Sequence, residues 1–264
     1  MTIGLFDSGV GGTTIWREVV RQLPYESTLF LADSLNAPYG EKSTEEIIAL
    51  CEKNTEYLLD HNSKLIIVAC NTATTNAITH LRAKYQVPFI GIEPAIKPAG
   101  LYSQTKTIGV LATQSTLRSA FFANTCQHLL DKGIRVLRQE GIGLVPLIEE
   151  GKIDTPEMFA LLEQYLRPMV AEGMDYLVLG CTHYPYLTSL ISEILPENIR
   201  IIDSAEAVAK QTERILSQNN LLAKGEVTPS HLWLTNKQVE KYKEKVYFVK
   251  SKKEIKEILK RKLF

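Results

Sequence analysis

The sequence predicts an α/β protein of two similar domains, each a mainly parallel sheet flanked by helices, and three observations carry that expectation. Short apolar runs alternate with longer helix-like stretches along the 264 residues. Two of the runs, KLIIVA at 64–69 and YLVLG at 176–180, are apolar without a break, the pattern of strands covered on both faces. Three runs end in small polar residues followed at once by a helix-like stretch, the grammar of a strand-to-helix turn in a parallel sheet.

In chain order, TIGLF at 2–6 is the first strand, and a glycine-rich turn leads from it to a helix over 13–22. TLFLA at 28–32 is the second strand, followed by a helix over 43–61. KLIIVA is the third, with its helix over 74–85. A fourth strand over 88–92 is followed by Pro94, Pro98 and Gly100, which break the chain. Strand-like runs resume at 107–112, 134–137, 176–180 and 200–202, with helices over 115–132, 156–172, 186–195 and finally 205–218. The break after the fourth strand and a second near 202–205 divide the chain into a discontinuous first domain, 1–97 plus 206–264, and a second domain, 98–205.

With 45% hydrophobic and 23% charged residues, the composition is that of a folded protein and excludes disordered, fibrous and disulfide-scaffold classes. No apolar run approaches the roughly 20 residues that span a bilayer, and MTIGLFDSG lacks a basic region followed by an apolar one. A cytoplasmic location is expected, in which Cys51, Cys70, Cys126 and Cys181 stay free thiols. No metal site is expected, because there is no Cys-x-x-Cys pair and Cys181 and His183 lack the paired clusters of structural zinc. The 30 basic and 30 acidic residues cancel overall but not locally. Residues 237–264 hold eleven Lys/Arg against four Asp/Glu, a +7 tail on a −7 body. Such a tail suits nucleic acid or anionic lipid. The spacing of Ile255, Ile258, Leu259 and Leu263 favours instead a terminal helix that docks an apolar stripe and leaves its lysines in water.

The three strand-to-helix turns carry the chemistry, since ligands bind at the carboxyl ends of parallel strands. The first, Asp7-Ser8-Gly9-Val10-Gly11-Gly12, fails the G-x-G-x-x-G pattern because Thr14 stands at the last position, and no G-K-[ST] follows. It remains an amide-rich turn that holds a carboxylate as readily as a phosphate. A tight turn explains its glycines equally well, but not a charged Asp7 at a strand end. The second and third turns, Cys70-Asn71-Thr72-Ala73 and Cys181-Thr182-His183-Tyr184-Pro185, place two thiols in matched settings. One such cysteine is most often a core residue; two in equivalent positions point to function. Cys51 and Cys126 fall within helical stretches and read as packing residues. His61, His80, His128 and His231 read as structural.

Two opposed thiols suit two-base racemisation or epimerisation, in which one thiolate takes a proton from carbon and the other thiol delivers one to the opposite face. An ordinary thiol pKa of about 8.5 keeps both protonation states within reach near neutral pH, as a reaction running both ways requires. Without a cofactor to delocalise the carbanion, fixed donors must hold the substrate carboxylate and water must be excluded. Asp7 and His183 are placed to assist Cys70 and Cys181. Glu149, after LVPLI, is a further candidate whose neighbour Glu150 serves as well on spacing alone.

DSGVGG at 7–12, ADSLNAPYG at 32–40, ACNTAT at 69–74, EPAIKPA at 93–99, LVPLIEEG at 144–151 and GCTHYP at 180–185 together resemble the glutamate racemase family, in the right order from residue 1 to about 215. The resemblance implies two α/β domains with the active site between them. It also implies cofactor-independent interconversion of L- and D-glutamate that supplies D-glutamate for bacterial peptidoglycan. Carried over by position, Cys70 and Cys181 are the acid/base thiols, Cys181 acting on the L-enantiomer and Cys70 on the D-enantiomer. Asp7, Glu149 and His183 support them. Asp7, Ser8, Tyr39, Gly40, Asn71, Thr72, Thr182 and His183 bind substrate. The sequence departs from the family at Ala112 and Ser115, where glycines are frequent, and in its late strand, which reads HLWLTNK instead of ending in Thr-Gly-Asp. The expected partners are glutamate and a second copy of the chain in a homodimer, with neither a membrane nor nucleic acid. The competing readings are an aspartate or related amino-acid racemase, a Cys-His hydrolase or transferase built on Cys181 and His183, and a protein that binds nucleic acid through its basic C-terminus.

Overall fold

The computed structural model describes residues 1–225, 228–236 and 246–247. The terminal helix expected near residue 255 therefore lies outside the described residues. Contacts divide the chain into unit 1 (Met1–Tyr39, Ser43–Ile92 and Ala205–Phe264) and unit 2 (Gly40–Lys42 and Glu93–Ser204).

Unit 1 holds β1 (Thr2–Asp7), α1 (Thr13–Gln22), β2 (Thr28–Ala32), α2 (Thr44–Asp60), β3 (Ser63–Val68), α3 (Asn71–Lys84) and β4 (Phe89–Gly91). Unit 2 follows with α4 (Ile96–Tyr102), β5 (Thr107–Ala112), α5 (Gln114–Arg118), α6 (Ala120–Leu130), β6 (Arg135–Glu140), α7 (Leu144–Glu149), α8 (Pro156–Ala171), β7 (Tyr176–Gly180), α9 (Thr188–Ile194) and β8 (Arg200–Ile202). The chain returns to unit 1 through α10 (Ala205–Gln218), β9 (His231–Thr235) and the two-residue β10 (Val246–Tyr247). No helix among the described residues is long and apolar enough to cross a membrane.

The unit 1 sheet runs β10-β9-β2-β1-β3-β4, parallel except for the β10 edge. Alternation along its strands feeds two cores. Ile3, Leu5, Leu65 and Ile67 pack with Trp16, Val208 and Leu216 of α1 and α10, whereas Phe6, Ile66 and Val68 pack with Ile47, Leu58 and Leu81 of α2 and α3. The unit 2 sheet is wholly parallel in the order β6-β5-β7-β8. Its Leu111, Leu177 and Leu179 pack against α7, α8 and α9, and its Ile108, Val110 and Val178 against α4 and α6. Strands buried on both faces leave only their ends for polar chemistry. Gly180, the last residue of β7, is required by packing, because an added Cβ would lie 2.8 Å from the Ala112 Cβ on β5.

Four departures from the expected elements have local causes. The single helix over 115–132 is two, because Ser119 is extended (φ −64°, ψ 143°) and its hydroxyl caps α6 by accepting from the Phe122 N–H. The break expected at Pro98 is the first turn of α4, where proline is tolerated because that N–H has no helical partner. The run LVPLI is the short helix α7, entered through left-handed Gly143 (φ 80°). Finally, α3 starts at Asn71 instead of residue 74, which puts Cys70 at its N-cap.

Candidate active site

The residues singled out in the sequence gather into two clusters, one in each unit. In unit 1, β1 and β3 are adjacent and parallel, so the turn after β1 and the start of α3 meet at one edge of the sheet. Cys70 is 5% exposed, and its sulfur accepts from the Ala73 N–H at 3.5 Å. Its thiol also donates to Ser8 Oγ at 3.7 Å, and the Ser8 hydroxyl donates to Asp7 Oδ1 at 3.4 Å. Asp7 is fully buried, and its carboxylate accepts further from the backbone N–H groups of Ser8 (2.7 Å) and Gly12. The acid therefore reaches the thiol through a hydroxyl. This bridging role of Ser8 is set by three-dimensional contact and has no signature in the spacing.

Asn71 and Thr72 form the first turn of α3, both buried. The Asn71 Nδ2 makes no hydrogen bond in the structure, an uncompensated donor that a ligand carboxylate would satisfy. Tyr39 lies in the same unit, 1% exposed, but its hydroxyl is committed: it donates to Asp33 Oδ2 at 2.5 Å and accepts from Asn54 Nδ2 at 3.1 Å. A ligand at this turn would therefore meet the backbone of Tyr39 and of the following glycine, not the hydroxyl. Gly40 groups with unit 2, where an added Cβ would lie 3.3 Å from the Thr113 Cβ.

In unit 2, Cys181 follows β7 directly and is 7% exposed. Its sulfur lies 3.8 Å from His183 Nδ1, and His183 Nε2 lies 2.7 Å from Glu149 Oε1, the last residue of α7. An ionised carboxylate only accepts, so Nε2 carries the hydrogen and Nδ1 is left facing the thiol. Glu150, its equal on spacing, turns outward to an ion pair with Lys152 at 2.7 Å. Thr182 is buried beside Cys181. Tyr184 is completely buried, and its hydroxyl reaches the Gly141 carbonyl at 3.4 Å.

The remaining cysteines have neither setting. Cys51 is fully buried on α2, and Cys126 is buried on α6; burial pushes both thiols up. Burial also pushes the Tyr39 and Tyr184 phenols far up, helped by Asp33 and by Cys181 respectively. Cys51, Tyr39 and Tyr184 are neutral in the fold, and unfolding frees them to ionise near their ordinary values, about 8.5 for a thiol and about 10 for a phenol. Their contribution to stability is fully present below those values and is lost progressively as pH rises above them toward the raised values in the fold. The urea midpoint is expected to fall steeply between pH 8 and 10.5, and a flat midpoint over that range would contradict the assignment.

Comparison with known proteins places these clusters in context. The family model described as Asp/Glu/Hydantoin racemase matches residues 6–212. The chain is 46% identical over 235 residues to a glutamate racemase from Ectopseudomonas mendocina, covering 88% of each. Its fold is similar to the crystal structure of a glutamate racemase isoform from Bacillus anthracis, with a TM-score of 0.82 at 36% identity over 90% of this chain and 89% of that one. It is also similar to glutamate racemase from Francisella tularensis in complex with D-glutamate, with a TM-score of 0.78 at 30% identity over 91% and 90%.

Proposed function

Because the chain belongs to the Asp/Glu/hydantoin racemase family, we propose that it interconverts L- and D-glutamate, with Cys70 and Cys181 as its two acid/base thiols and no cofactor. The observation that carries this reading is the matched pair of relays. Each thiol lies next to a hydrogen-bonding group, Ser8 or His183, that in turn meets a carboxylate, Asp7 or Glu149. Among the described residues neither Cys51, packed within α2, nor Cys126, which meets Arg138, is linked to a carboxylate in this way.

In the L-to-D direction the Cys181 thiolate removes the α-proton, with the His183 imidazole placed to take the thiol's own proton beforehand. The Cys70 thiol then delivers its proton to the opposite face of the carbanion, leaving a thiolate beside Ser8. The D-to-L direction exchanges the two roles. The carbanion needs its charge spread into the α-carboxylate, and the Asn71 amide together with the backbone amides at the start of α3 supplies donors for it. Burial of both thiols keeps water from quenching the intermediate. The product serves, in this reading, as the D-glutamate of bacterial peptidoglycan.

Optical rotation tests the assignment. Incubation with L-glutamate is expected to bring rotation to zero, with kcat/KM equal in the two directions because enantiomers have the same free energy. Aspartate, one methylene shorter, is expected to react about 10-fold to 100-fold more slowly, the discrimination one methylene usually provides. Equal or faster turnover of aspartate would overturn glutamate as the substrate.

A further inference from the structure

The loop over residues 33–41 leads from β2 to the pair Tyr39-Gly40, and the structure ties it down from an element far away in sequence. Asp33, at the end of β2, is 2% exposed. Its Oδ1 accepts from Asn36 Nδ2 at 2.7 Å and from Asn236 Nδ2, and its Oδ2 accepts from the Tyr39 hydroxyl. Asn236, directly after β9, completes the tie in the other direction, its Oδ1 accepting from the Leu35 N–H at 2.9 Å. One amide side chain thus holds the loop at two points, by a donor bond to a buried carboxylate and an acceptor bond to the backbone. The tie exists because β9 pairs in parallel with β2, so that both strands end at the same edge (Ala32 opposite Thr235).

We infer that Asn236 is a positioning residue for substrate binding, holding the 33–41 loop so that the backbone of Tyr39 and Gly40 is presented in the geometry glutamate requires. The inference rests on the reading above that Tyr39-Gly40 binds substrate. It separates two parts of the loop's support. The Asp33, Tyr39 and Asn54 bonds are buried and lie within the fold of unit 1, so their loss disturbs folding. Asn236 acts nearer the surface: the Leu35 N–H finds water once the amide is removed, and Asp33 keeps its bonds to Asn36 and Tyr39, so the loss changes loop geometry more than stability.

The test compares Asn236→Ala and the isosteric Asn236→Asp with the unsubstituted enzyme, reading KM and kcat for D- and L-glutamate together with the thermal midpoint. Asn236→Asp keeps the acceptor for Leu35 but replaces the donor to Asp33 with a second carboxylate. Both variants are expected to raise KM about 10-fold, the equivalent of one charge-assisted hydrogen bond, with kcat within about 2-fold; the midpoint falls slightly for Asn236→Ala, where Asp33 keeps Asn36 and Tyr39, and further for Asn236→Asp, which sets a second carboxylate against buried Asp33. An unchanged KM in folded variants overturns the inference. So does a loss of kcat in Asn236→Ala that follows a large loss of its thermal midpoint, or failure of both variants to fold, since each marks a purely structural role. Gly40→Ala serves as the reference for the underlying reading. If it too leaves KM unchanged, the loop does not bind substrate and the reading fails. If it raises KM while Asn236→Ala does not, the inference about Asn236 alone fails.

Discussion

Replacing either Cys70 or Cys181 by serine is expected to slow glutamate racemisation by about 10³-fold or more, at the upper end of what a positioned acid or base contributes. The substitution removes one sulfur's acidity and little else. A serine hydroxyl does not ionise near neutral pH, so it does not supply the base that abstracts the α-proton, and it gives up its own proton far less readily than a thiol. At position 70 the structural consequence is favourable, because the Cys70 sulfur is the N-cap acceptor for α3 and serine is among the preferred caps. Cys70→Ser should therefore keep or slightly raise thermal stability while losing activity, which separates chemistry from folding in one variant. In heavy water, the remaining thiol of each variant is expected to exchange the α-hydrogen of one enantiomer: L-glutamate for Cys70→Ser and D-glutamate for Cys181→Ser. A Cys-His nucleophile built on Cys181 and His183 makes the opposite forecast for one variant. Cys70→Ser retaining most of its activity would favour that reading and sink the two-thiol mechanism.

Breaking the ion pair between Glu26 and Lys64 is expected to cost about 3–5 kcal/mol of folding stability, a fifth or more of the roughly 5–15 kcal/mol a domain usually has. Lys64 Nζ lies 2.6 Å from Glu26 Oε2, with the two side chains only 6% and 3% exposed. Each partner also holds the chain that follows α10: Lys64 Nζ donates to the Leu221 carbonyl at 2.6 Å, and Glu26 Oε1 accepts from the Ala223 N–H at 2.7 Å. The pair thus pins the connection that leads to β9. Removing one charge strands the other where water cannot reach it, which costs more than the pair contributes. Glu26→Gln or Lys64→Met should show the full loss in urea unfolding, and the double variant Glu26→Leu/Lys64→Met should recover most of it. A loss under about 1 kcal/mol in either single variant would show that the site is wetter than the structure has it.

Much of the candidate site is legible in the sequence. Cys70 and Cys181 were separable from Cys51 and Cys126 because a thiol directly after a continuously apolar strand lands at the sheet's polar edge, whereas one within a helical stretch lands against the core. Asp7 stood out because a strand end is an expensive place for an unpaired carboxylate. The choice between Glu149 and Glu150 was not legible. Adjacent residues at a helix end point in different directions, and only the packing of α7 turns the first toward His183 and the second toward Lys152. Nor was the commitment of the Tyr39 hydroxyl to Asp33 and Asn54, or the breaking of the 115–132 helix by a serine that caps the next one.

The sequence by itself determined the strand-and-helix alternation, the matched strand-end settings of two cysteines and the family, because these follow from local periodicity and from motifs a few residues long. The tertiary structure alone decided which groups touch: Ser8 between Asp7 and Cys70, His183 between Cys181 and Glu149, and Asn236 across from Asp33. The physical reason lies in the range of the forces. Backbone propensity and hydrophobic patterning act over a few residues and are written along the chain. A hydrogen bond needs its partners within about 3 Å and in line, and that condition is met only after sheet order and register have placed distant residues side by side.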